Sequence, residues 1–164
     1  MIASDAVTYR VNGPVATVTL DRPPYNHVNL AVVTALAATL EALDHDKHCR
    51  AVVLTTASKV FCGGADLASP DGLLSGGEAG LAPFYVQAAR LFGTRKPIIA
   101  AVQGAAVGAG LGLALIADFR VATPECQSAC KRNPRSASNR DPLGDGTQLV
   151  RIGDSRDACG AGRA

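Results

Sequence analysis

Apolar positions along this chain change period several times, and the changes predict an alternation of strands and helices. Ala6 to Val11 and Val15 to Leu20 are β-rich runs around Asn12-Gly13-Pro14, which predicts a hairpin. Asp21-Arg22-Pro23-Pro24 ends the second strand, since consecutive prolines cannot continue a ladder. Asn29 can cap a helix running to about Asp44, with Leu30, Val33, Leu36, Leu40 and Leu43 at helical spacing. Ala51 to Thr55 reads as a buried strand. Ser69 to Gly80 holds four glycines and a proline and reads as a mobile loop. Pro83 suits the first turn of a helix over Phe84 to Phe92. A strand over Ile98 to Val102, a glycine turn, a helix over Leu111 to Ala117 and a strand over Phe119 to Ala122 complete the series. Such alternation predicts an α/β fold.

The centre of the pattern is an uncharged stretch from Pro97 to Asp118. Gly104, Gly108, Gly110 and Gly112 lie in its turn and first helical residues, where backbone can approach a ligand with no Cβ in the way. A strand feeding a helix through such a turn aims backbone N–H groups at whatever sits there. The same pattern also suits a buried βα unit whose glycines serve close packing. A third reading treats Ile98 to Ala117, twenty residues without a charge, as a membrane span with Gly104-xxx-Gly108 as a helix-pairing motif. Gln103 and the density of glycine oppose it. Gly108-x-Gly110 lacks the third glycine of a dinucleotide site, and no acidic residue lies at the expected distance.

Val60-Phe61-Cys62-Gly63-Gly64-Ala65-Asp66-Leu67 follows the third strand. Together with Gly104 to Asp118, with Val15 to Pro23 and with Ala117-Asp118-Phe119-Arg120-Val121-Ala122, it resembles the enoyl-CoA hydratase/isomerase (crotonase) family. The resemblance covers roughly the first three quarters of the chain. It implies the crotonase-like (ClpP/crotonase) spiral of ββα units over residues 1–125, incomplete at the C-terminus. It implies an acyl-CoA thioester as the small-molecule substrate, with coenzyme A bound as part of that substrate and no permanent cofactor or metal. The backbone N–H groups of Ala65 and Ala109 would form an oxyanion hole, with Ala65, Asp66, Leu67, Ala68 and Ala109 contacting CoA and substrate. Such donors stabilise the charge that develops on a thioester oxygen as an enolate forms. The family assembles as a trimer or a dimer of trimers.

In the same resemblance, hydratases hold a water between two glutamates. The position of the first is Gly112 here, and Glu125 comes too early to be the second. Loss of each carboxylate removes general acid–base help worth about a hundred- to ten-thousandfold. The expectation is therefore an acyl-CoA protein of low or no hydratase activity. A non-catalytic acyl-CoA binder or inactive fragment is the alternative. His45 and His48, beside Asp44 and Asp46, read as a solvated helix end rather than a metal site. Cys126 and Cys130 lack a second pair, so zinc is not expected. Cys62 is expected to pack beside the first turn, with no activating base in view.

Composition changes the picture at one place. The whole chain has 164 residues, a formal net charge of +2 and five cysteines. The overall balance asks for neither nucleic acid nor a membrane surface, and the absence of a basic-then-apolar start gives a cytoplasmic expectation with free thiols. Residues 1–125 carry a net charge of −1, residues 126–164 a net charge of +3, and all seven Phe and Tyr precede the break. Cys126 to Asn139 has no apolar face, so residues 126–164 read as a disordered tail outside the family pattern. A reading-frame shift near codon 125 would produce this break. Asn139 to Gly144, with suitable codons, reads Thr-Glu-Ile-Arg-Trp-Gly one base forward, like the family segment that carries the second glutamate. Sequencing across codon 125 checks this: a crotonase-like continuation in the shifted frame is expected, and early stops there would show the tail to be native.

Overall fold

The computed structural model describes residues 5–75, 81–123 and 148–151. They form a six-stranded mixed sheet in which the strands lie side by side in chain order, β1-β2-β3-β4-β5-β6. Strands β1 (Val7–Asn12) and β2 (Val15–Leu20) make the antiparallel hairpin predicted from the turn residues between them. β2, β3 (Ala51–Thr56), β4 (Ile98–Val102) and β5 (Phe119–Ala122) then run parallel. Parallel neighbours need long crossovers. Helices α1 (Leu30–His45), α2 (Leu81–Leu91) and α3 (Ala109–Leu115) fall in those crossovers.

Register explains the core. Ala16 pairs with Val52 and Val52 with Ile98; Val18 pairs with Leu54 and Leu54 with Ala100. Because side chains alternate along a strand, these pairings put whole rows on one face. All these residues are buried. The face is covered by α1, which buries Val32, Val33, Ala35, Leu36, Ala37, Leu40 and Leu43. Asn29 caps α1 by accepting from the Val32 N–H at 3.0 Å, a contact worth about 1 kcal/mol. α2 packs on α1 through Phe84 and Leu91, and Arg90 of α2 pairs with Glu41 of α1. The α2 helix begins at Leu81, so Pro83 lies in its first turn, as the sequence predicts.

The stretch Ile98 to Ala117 is divided, as expected, into a five-residue strand, a turn and a seven-residue helix, while two features depart from the sequence expectations. Among the described residues no helix is long and apolar enough to cross a membrane. The apolar run here buries Ile98, Ala100 and Val102 on one face of the parallel strand and leaves Ile99 and Ala101 half-buried on the other. The helix also starts two residues earlier than its apolar run, at Ala109, directly after Gly108. Finally, the disordered tail expected over 126–164 does not hold at Gln148–Arg151, which forms β6 antiparallel to β5. β5 would otherwise present an open edge of unpaired N–H and C=O groups, which attracts a strand. Residues 124–147 and 152–164, where the rest of that expectation falls, lie outside the described residues, as do 76–80 of the predicted mobile loop.

Candidate oxyanion site

β2, β3 and β4 are each followed by a segment that leaves the main sheet and joins a second, smaller set of contacts. Val28 after β2 bridges to Ala65, and Cys62 after β3 bridges to Ala106 after β4. The Cys62 N–H donates to Ala105 O, and the Val107 N–H donates to Cys62 O, both at 3.0 Å. These bonds hold the 60–65 turn against the 104–108 turn. Two glycines permit the approach. A Cβ on Gly104 would sit 1.9 Å from the carbonyl oxygen of Lys59, and one on Gly110 would sit 2.2 Å from that of Cys62. The close-packing reading of the glycine stretch therefore holds at Gly104 and Gly110.

A glycine of unusual backbone conformation precedes each predicted donor. Gly64 has φ +110 and Gly108 has φ +52, conformations that side-chain-bearing residues rarely adopt. Each is followed by an alanine, Ala65 and Ala109. The two turns meet there: a Cβ on Gly64 would lie 3.1 Å from Val107 O and 4.0 Å from the Ala109 nitrogen. Ala65 is bracketed on both sides by bonds to Val28, whose N–H donates to Gly64 O at 2.9 Å and whose carbonyl accepts from Asp66 N at 2.8 Å. Ala65 itself uses neither bond. Ala109 is the first residue of α3, so its N–H has no acceptor within the helix. Among the described residues neither N–H has a hydrogen-bond acceptor. Both residues are half-buried.

Behind the first donor lies a polar network that the sequence reading did not single out. Arg22, at the end of β2, donates from Nη1 to Asp66 Oδ2 at 2.7 Å and to His27 O at 2.9 Å, and from Nη2 to Asp71 at 3.2 Å. Ser69 Oγ donates to Asp66 at 2.6 Å, and Asn29 Nδ2 donates to Asp71 at 2.6 Å. Asn26 is fully buried with φ +53 and binds Ser58 Oγ and Val60 O from Nδ2. No local sequence signal joins these residues, since Arg22 lies 44 residues from Asp66 and 49 from Asp71. Within the 69–75 part of the predicted mobile loop, Asp71 is thus tied to Arg22 and Asn29, and Ser69 to Asp66, by side-chain hydrogen bonds.

The Ser69 hydrogen bond, with help from Arg22 and against the cost of burial, holds the Asp66 carboxyl well below the usual carboxylate range. Asp71 is lowered chiefly by Ser69. A depressed folded pKa means that the network stabilises the fold above the unfolded carboxylate pKa, about 3.9, and is lost as pH falls below it. Thermal melts from about pH 5 down to about pH 2 should show a falling midpoint, with a shallower fall in Asp66→Asn. An identical slope in the variant would remove Asp66 from the account.

The remaining candidates are placed as follows. Cys62 is fully buried, burial pushes its thiol up, and its Sγ lies 3.8 Å from Gly64 O, so it packs beside the first turn as expected. His45 ends α1 and His48 follows it, with the His48 N–H donating to Asp46 at 2.9 Å. His27 Nδ1 lies 3.4 Å from Gly64 O. Of the expected substrate contacts, Asp66 has its N–H, carbonyl and carboxylate engaged within the chain, whereas Leu67 and Ala68 are exposed. No Cβ contact would form within 4 Å at Gly112, so this face of α3 opens on free space. A cavity of about 590 Å³ lies at the carboxyl ends of β3, β4 and β5, lined by Ala57, Ser58, Lys59, Gln103, Gly104, Ala105 and Thr123. It includes neither donor, so the thioester site is not assigned to it.

Comparison with known proteins now decides the family. The family model for enoyl-CoA hydratase/isomerase matches residues 10–132. The chain belongs to the enoyl-CoA hydratase/isomerase family. A protein named probable enoyl-CoA hydratase from Mycobacterium tuberculosis is 40% identical over 126 residues, covering 76% of this chain and 49% of that protein. One from Mycobacterium leprae is 37% identical over 154 residues, covering 87% of this chain and 51% of its own length. Among solved structures, Pseudomonas aeruginosa DspI superposes with a TM-score of 0.68 at 31% identity, covering 76% of this chain and 52% of that one. The fold is therefore the crotonase fold of this family, and the chain spans about half the length of the curated relatives it matches. The family match passes residue 125, where the sequence reading ended the family pattern, and runs to 132.

Proposed function

We propose that this enoyl-CoA hydratase/isomerase-family chain binds an acyl-CoA thioester and polarises its carbonyl between the N–H groups of Ala65 and Ala109. The observation that carries the reading is the pair of alanines, each behind a glycine with positive φ and each with an N–H that lacks an acceptor among the described residues. Donors aimed at the thioester oxygen stabilise the enolate more than the neutral ester, because charge develops there during the reaction. Backbone donors need no particular side chain, only small ones that leave room. Exposed Leu67 and Ala68 offer the adjoining surface to the CoA portion.

Turning an enolate into hydration or isomerisation also requires a group that moves a proton. Gly112 has none. Asp66 and Asp71, the carboxylates beside the first donor, are engaged by Ser69 and Arg22 and held below the ordinary range. A carboxylate so stabilised is a weak base near neutral pH. The chain as it stands is therefore an acyl-CoA binder with low or no turnover. Retention on immobilised CoA, eluted by crotonyl-CoA, is the expected result. A chain that passes straight through the column would overturn the reading.

A further inference from the structure

We propose that Arg22 is a positioning residue for the first oxyanion donor, clamping the segment pair on either side of Ala65 and neutralising the carboxylate next to it. The inference deepens the reading above and rests on Ala65 being a donor.

The direction of the Ala65 N–H depends on how the 63–66 segment lies on the 25–28 segment, through backbone bonds from Gly63 N to Tyr25 O, from Val28 N to Gly64 O and from Asp66 N to Val28 O. Arg22 adds a side-chain tie across the same pair of segments. Its Nη1 donates at once to His27 O, beside Val28, and to Asp66 Oδ2, beside Ala65. One nitrogen thus holds both members of the bridge from the same side. Nη2 reaches Asp71, and Asn29 holds Asp71 from the α1 cap. The chain of contacts links the first donor to the sheet, through β2, and to the helix, through Asn29.

Exposure ranks the two ion pairs. The Asp66 side chain is 11% exposed and that of Asp71 is 64% exposed, so the Arg22–Asp66 contact is the stronger and Arg22–Asp71 adds little. Both terminal nitrogens of Arg22 are in use, so it does not serve as a free phosphate ligand for CoA. Its charge matters in a second way. Asp66 follows the donor directly, and an unpaired carboxylate there would oppose negative charge on the thioester oxygen. With Arg22 on Oδ2 the local charge is cancelled, and the donor acts on the oxygen without that opposition. Lysine cannot reproduce the arrangement, because its single ammonium lacks the planar fork that reaches His27 O, Asp66 and Asp71 together.

The test compares butyryl-CoA with S-butyl-CoA, which differ only in the thioester carbonyl, by calorimetric titration of the full chain. Wild type should bind butyryl-CoA about tenfold more tightly, the value of two modest hydrogen bonds. Arg22→Ala should lose this preference while its affinity for S-butyl-CoA stays within about twofold of wild type, and Arg22→Lys should keep part of it. A wild type without the preference would overturn the donor reading itself. A preference preserved in Arg22→Ala would overturn the clamp and leave the donors standing. Equal losses for both ligands would show a merely structural arginine and also overturn it. Should Arg22→Ala fail to fold, Arg22→Lys and Asp66→Asn carry the test, and wild-type preference in both would reject the proposal.

Discussion

Gly110→Ala is expected to cost about 3 kcal/mol or more of stability and to dismantle the second donor turn. The added methyl carbon would lie 2.2 Å from the carbonyl oxygen of Cys62 and 2.7 Å from its Cβ. Such distances cannot be relieved by turning a side chain, since the nearest atom belongs to backbone. The backbone in question is the oxygen that accepts from the Val107 N–H, one of the bonds that dock the two turns. To admit the methyl, either that bond breaks or α3 moves away from the 60–65 turn, and Ala109 moves with it. Gly104→Ala should behave likewise, because its Cβ would meet Lys59 O at 1.9 Å. Gly112→Ala is the control. It lies in the same short helix with open space around its Cβ position, and alanine should raise stability by about 0.5–1 kcal/mol through helix propensity. Urea unfolding of the three variants separates close packing from general intolerance to substitution. A Gly110→Ala midpoint close to that of Gly112→Ala would remove the docking argument.

How much of this was legible beforehand differs by element. β2 was readable because a turn and two prolines bound its β-rich run, and β3 because a short apolar run, Ala51 to Leu54, lies between polar segments. Asn29 was readable as a cap because a short polar side chain precedes a helical apolar stripe, and the structure places its oxygen on the Val32 N–H. The start of α3 was set two residues late, because Ala109 and Gly110 carry no periodic signal; backbone conformation at Gly108, not hydrophobicity, begins that helix. β6 was missed because four residues in a polar region have too few positions to show a period. Its partner is the edge of β5, a tertiary fact. The proposed donors, Ala65 and Ala109, come from family resemblance alone, since an alanine has no chemistry of its own to read. The Arg22 network was missed for a related reason: Arg22, Asp66 and Asp71 lie far apart in sequence, and nothing local marks them as partners. Arg120 shows the limit from the other side. It stands buried in the row with Ala100 and Leu54, with Nη1 donating to Ala117 O. A charged residue in a four-residue strand would ordinarily be placed facing solvent.

Hydration of crotonyl-CoA by this chain is expected to be at least about ten-thousandfold slower than by an enzyme with two positioned carboxylates, since each contributes about a hundred- to ten-thousandfold. The proposed oxyanion donors would lower the cost of charge on a thioester oxygen, but water must still lose a proton as its oxygen attacks, and the α-carbon must gain one. Gly112, where the resemblance puts the first glutamate, has no group to serve either step. Asp66 cannot substitute, being held in its charged form by Ser69 and Arg22, which makes it both a poor acid and a weak base at neutral pH. The glycine is not there for want of space, since a Cβ at 112 would meet nothing within 4 Å. Gly112→Glu should accordingly fold, and it should still fail to hydrate, because a single carboxylate can act as base or acid but cannot hold the water against a second. The two measurements are loss of the enoyl absorbance with the purified chain and with Gly112→Glu, alongside butyryl-CoA titrations to show that both bind. Wild-type turnover at the rate of a two-carboxylate enzyme would mean that a proton-transferring group lies elsewhere in the chain. Rapid turnover by Gly112→Glu alone would mean that the opposing acid was present throughout and that position 112 was its one missing partner.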